Sequence, residues 1–119
     1  MGRAVTIASP GGPVVCERCE LADSPLRRMR GLLGRKSIDS GEGILLRPAP
    51  AIHTWFMRFA IDAVFLDRDL TVLSVRTHLR PWRMARQKGA RAVLELPAGE
   101  AERRDLRPGE RLEVHDGRR

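Results

Sequence analysis

The hydrophobic and polar positions of this chain fall into short extended runs divided by turn residues. Val5 and Ile7 alternate with polar neighbours, and the Ser9-Pro10-Gly11-Gly12-Pro13 turn hands the chain to a second run, Val14 to Leu21, so the opening is expected to be a hairpin. Farther on, "ILLR" is a short buried run, "FAIDAVFLD" and "LTVLSVR" flank Arg68-Asp69 as a hairpin, and "RAVLELP" and "RLEVH" supply the last two strands. "HLRPWRMARQKGA" is too polar and basic for a core.

One segment repeats at helical spacing. Leu26, Met29, Leu32 and Leu33 share a face, with Arg27, Arg28 and Arg30 largely off it. Ser24 suits the N-cap, Pro25 the first helical position and Gly34 the left-handed C-terminal cap. The pattern predicts an α+β domain over residues 1–119: one principal helix at about 24–33 and a small, mainly antiparallel sheet that curls, as a barrel or sandwich.

Composition adjusts this picture little. The 119 residues fit one domain, and no apolar run is long enough for a signal peptide or a membrane span, so the expected location is cytoplasmic. The net charge of +7 favours anionic partners. Lys36 and Lys88 are the only lysines, however, and an arginine-, alanine- and glycine-rich chain reflects GC-rich coding, so charge alone implies a solvated basic surface.

"GLLGR" (31–35), "HTWFMRFAIDAVFLD" (53–67) and "VLELPAG" (93–99), in this order and spacing, resemble the family known as domain of unknown function 192, over roughly residues 14 to 114. The family pattern His-Thr-x-x-Met, then Ile-Asp, then Phe-Leu-Asp falls here on His53, Thr54, Met57, Ile61, Asp62, Phe65, Leu66 and Asp67. The resemblance implies a compact, mostly β domain with one helix and no established activity. Many members carry an export signal, and Cys16 and Cys19 are not part of the pattern.

Three groups of residues are candidates for chemistry. In extended chain His53, Trp55 and Met57 would share a face, most of the aromatics filling the centre of the barrel. Asp62 interrupts an apolar strand and so requires a partner, with Arg58, His53 and Arg35 as candidates or else backbone amides. His53, Met57, Asp62, Glu95 and Arg35 therefore form the candidate ligand site, for a small molecule or protein. A second surface is Arg80, Trp82, Arg83, Arg86 and Lys88, arginines around an aromatic that suit nucleic acid, with the arginines of the helix as an extension.

The third group is the pair Cys16 and Cys19. A regular strand holds residues three apart at about 10 Å and forbids a disulfide; a bulge at Glu17-Arg18 would let the thiolates chelate zinc with two of His53, His78 and His115. Copper would instead favour the soft His53/Met57 set. A single CxxC carries little weight, so no resident cofactor is expected. Hydrolase elbows, P-loops and dinucleotide fingerprints are missing, leaving no positive catalytic signature. The resulting expectation is an accessory or ligand-binding module with a polar site near His53 and Asp62; the alternatives are a nucleic-acid-associated basic protein and a metal-handling one.

Overall fold

Seven strands form where the sequence suggested them, and two short ones, Ala51–His53 and Met84–Arg86, were not expected. In this computed structural model, which describes residues 4–23 and 35–116, the strands are β1 (Ala4–Ala8), β2 (Val14–Ala22), β3 (Glu42–Leu46), β4 (Ala51–His53), β5 (Ile61–Leu66), β6 (Val72–Leu79), β7 (Met84–Arg86), β8 (Ala92–Pro97) and β9 (Glu113–His115). A single helical turn, α1 (Glu100–Arg103), follows β8 where the sequence suggested only a tight turn. The principal helix expected at 24–33, with Arg27, Arg28 and Arg30, lies outside the described residues.

Seven strands form one sheet in the order β6-β5-β8-β3-β2-β1-β9, and β4 pairs with β7 in a second, two-stranded sheet. All pairings are antiparallel except β2 with β3. The large sheet curls without closing, which corrects the barrel expectation. Its two ends meet through one isolated bridge, Thr71 to Arg111, and a few backbone bonds such as Val72 N–H to Glu110 C=O at 2.7 Å. No ladder joins β6 to β9, so the edges stay open.

Strand alternation sorts the core into two layers. Val64, Leu66, Leu94, Leu96 and Leu45 point to one side with Val5, Ile7, Val15, Cys16, Cys19 and Leu21, where Ala101 of α1 joins them. Ile61, Ala63, Phe65, Val93, Ile44 and Leu46 point to the other, against Ile52, Met57 and Ala85 of the small sheet and its turns. β5 and β8 are buried on both faces, which is why they read as nearly continuous apolar runs. The small sheet thus covers the second face and carries its own outer surface into solvent. Among the described residues no helix is long and apolar enough to cross a membrane.

Candidate functional site

The chain leaves the strand direction immediately after β4, and Thr54 is the cause. This residue is fully buried. Its N–H donates to the Arg83 carbonyl (2.8 Å) and its carbonyl accepts from the amides of Trp82 (3.0 Å) and Met57 (3.2 Å). Its hydroxyl donates to the Arg80 carbonyl at 2.6 Å and accepts from the Arg83 amide at 2.9 Å. One threonine therefore pins the 54–57 turn to the 80–83 turn.

Each of these turns holds an aromatic residue in the left-handed backbone region: Phe56 at φ 67° and Trp82 at φ 66°. Bulky side chains are outliers there, at about 1–2 kcal/mol per residue. Burial does not offset that cost, because Phe56 is 68% and Trp82 56% exposed. Their rings touch, with centroids 4.7 Å apart at 59°. Beside them Trp55, 42% exposed, lies against the exposed His53 ring at 4.7 Å and 30°. Met84, 59% exposed, pairs with His53 across the β4–β7 ladder. The expectation that the aromatics fill a core is thus corrected for Trp55 and Phe56, while Trp82 is exposed as expected; only Phe65 is fully buried, and Phe59 partly so. Met57 alone of the predicted His53/Trp55/Met57 face turns inward, since the turn at Thr54 breaks the alternation.

The two chain segments that supply this ledge also account for the whole formal net charge. Residues 50–60 and 76–91 contain no Asp or Glu and carry Arg58, Arg76, Arg80, Arg83, Arg86, Lys88 and Arg91, all exposed. Setting these seven aside leaves 15 basic residues against 15 acidic ones, so the rest of the chain is formally neutral. Several arginines elsewhere are paired: Arg18 and Arg35 with Glu42 at 3.3 and 3.1 Å, and Arg104 with Glu17 and Glu100 at 2.9 Å each. Among the described residues none of these seven cations has an ion-pair partner.

The polar residues expected around His53 are not gathered there. Asp62 is fully buried, and its Oδ1 accepts the His78 amide at 2.9 Å while Oδ2 accepts those of Gly99 (3.0 Å) and Ala101 (2.9 Å). The carboxylate thus fastens the β6 bulge, where His78 has φ 53°, to the start of α1. Asp62 pairs with Leu96 and Glu95 with Ala63, so the two acids point to opposite faces of the sheet. Arg35 is engaged by Glu42. Glu95 is 4% exposed, and its Oε1 has no hydrogen-bond partner. Burial alone pushes its carboxyl up to about 7.

The cysteines occupy a bulge. Val5 pairs with Cys19 and Ile7 with Cys16, so two steps on β1 face three on β2. The extra residue turns both thiols into the same core layer, where both are free and fully buried. The neighbouring Cys19 thiol draws Cys16 down, while contact with Cys16 and burial push Cys19 up. His53, His78 and His115 are exposed on β4, β6 and β9, away from these thiols. Among the described residues no three His, Cys, Asp or Glu side chains are grouped to hold a metal ion.

Sequence reasoning overlooked Thr54 and Glu100. Glu100 is fully buried and accepts from Ser40 Oγ (3.1 Å), the Gly41 amide (3.3 Å), Arg103 and Arg104. "AGE" signals a turn, and nothing in it announces a buried acid. The Thr of the His-Thr-x-x-Met pattern was the available clue to Thr54.

Known proteins share this sequence and fold. The family model of DUF192, described as uncharacterized ACR, matches residues 6–114. A UPF0127 protein of Pyrococcus abyssi is 36% identical over 89 residues, 69% of this chain and 73% of that protein. One of Thermococcus sibiricus is 33% identical over 93 residues; the match takes in 74% of this chain and 60% of the relative's length. A crystal structure of a protein of unknown function from Novosphingobium aromaticivorans superposes with a TM-score of 0.79 at 25% identity, covering 92% of this chain and 83% of that one. On sequence and fold together, the chain belongs to the DUF192 family.

Proposed function

We propose that this protein is a binding module that engages an anionic partner through the ledge of His53, Trp55, Phe56, Trp82 and Met84 and the cations around it. The carrying observation is that the two segments bearing these exposed rings, with Phe56 and Trp82 in left-handed backbone, contain no acidic residue and hold seven exposed cations without an ion-pair partner among the described residues. Such strain persists only where the surrounding structure over-determines it, and Thr54 does so here. Of the expected ligand residues, His53 belongs to this surface; Asp62 and Glu95 lie within the fold. A polar pocket joining them has no comparable support.

The test compares two double charge reversals of equal net charge. Arg80→Glu with Arg83→Glu alters the ledge, whereas Arg107→Glu with Arg111→Glu alters the far end of the chain. Binding to inorganic polyphosphate, measured by calorimetry, is expected to fall much more for the ledge variant. Equal weakening would mean that only total charge matters, and the reading would fail.

A further inference from the structure

We infer that the partner of this surface is single-stranded nucleic acid, with bases stacked on Phe56 and Trp82 and phosphates held by the arginines between and beside them. The inference rests on the ledge reading above. A surface that merely attracts a polyanion needs no aromatic rings, and exposed rings serve best where flat faces are free to meet them. Bases in a duplex are covered by their neighbours, while in a single strand every base offers a face for stacking. A duplex would also require an element long enough to enter a groove, and β4 and β7 have three residues each.

The order of residues fits the same partner. From Arg80 to Lys88 the chain reads Arg80, Trp82, Arg83, Met84, Arg86, Lys88, placing cations between the apolar groups. Backbone phosphates likewise alternate with bases along a strand. Six of the seven cations are arginines, whose planar groups both pair with phosphate and stack on rings.

The decisive variants are Phe56→Gly and Trp82→Gly, because glycine adopts the observed backbone without strain and the turns stay formed. Anisotropy would be measured with oligouridine and oligothymidine of about 12 nucleotides, between about 50 and 200 mM salt. Inorganic polyphosphate and phosphatidylglycerol vesicles serve as competitors without bases. Each glycine variant is expected to lose roughly 10- to 100-fold in affinity for the oligonucleotides and to keep its affinity for polyphosphate. Preference for oligouridine over oligothymidine would specify RNA, and the reverse DNA. Equal losses for oligonucleotide and polyphosphate, no loss for either, or tighter binding to vesicles would each overturn the single-strand inference while leaving the ledge as an anion site. Failure of every polyanion to bind the unaltered protein would overturn the earlier reading as well.

Discussion

Glu95→Gln isolates the cost of one buried carboxyl. Glu95 sits on β8 between Ile44 of β3 and Ala63 of β5, with Oε1 unpartnered. Its folded-state value of about 7 lies above the ordinary 4.5. The native chain therefore holds this proton more tightly than the unfolded chain does. The associated stability is complete below about 4.5, declines as pH rises through about 7, and levels off above that. Linkage between these two values costs the native state on the order of 3 kcal/mol at about pH 8 and under about 1 kcal/mol at about pH 5.

Glutamine has nearly the same shape and no proton to lose. The stability of Glu95→Gln relative to the unaltered protein should therefore rise by roughly 2 to 3 kcal/mol between about pH 5 and pH 8. Every other titrating group is common to both proteins and cancels. Urea denaturation followed by far-UV circular dichroism is the suitable assay, since both tryptophans are already substantially exposed and report unfolding weakly. A difference that stays constant across this range would show that Glu95 ionises in the folded protein as readily as in water, and the reasoning from its burial would be refuted.

Asp62→Asn should cost about 2 to 6 kcal/mol, because the side-chain amide cannot accept from both groups of amides and leaves buried donors unpaired. Faster hydrogen exchange at Gly99 and Ala101 would accompany the loss, and unchanged stability would contradict the anchoring role. Gly43→Ala places a Cβ 2.9 Å from the Glu95 carbonyl oxygen and 2.9 Å from Cys16 Sγ. Since one of these neighbours is backbone, a loss of about 1–3 kcal/mol is expected in thermal or urea unfolding, and a neutral result would mean that β3 and β8 can separate cheaply.

The strands were legible because their signals are local. Alternation at Val5 and Ile7, the Arg68-Asp69 turn and the apolar run of β8 each fixed an element within a few residues. Partnership was much less legible. Asp62 was correctly singled out as needing partners, and backbone amides were among those weighed, yet no pattern could show that they come from the β6 bulge and from α1, 16 and 39 residues away. The small sheet escaped notice because β4 and β7 are three residues each and pair over a long stretch of intervening chain. Trp55 and Phe56 were misplaced for a specific reason: alternation presumes an extended chain, and Thr54 ends it.

That single error also changes the functional weighing. Aromatics assigned to a core leave Arg80 to Lys88 as an ordinary solvated run with one tryptophan. Once Trp55 and Phe56 stand outside with Trp82, the same arginines share two acid-free segments with three exposed rings, and the remainder of the chain is formally neutral. Meanwhile the residues most suggestive of chemistry, Asp62 and Glu100, have their acceptor oxygens engaged inside the fold, where they hold α1 and its neighbours in place. The division follows from the sheet itself. One face encloses these anchors, and the other carries a small two-stranded platform whose underside is apolar and whose turns are locked by Thr54. A platform supported in this way can hold two aromatic residues in a strained conformation without help from a partner, which leaves Phe56 and Trp82 mostly exposed and already oriented for one.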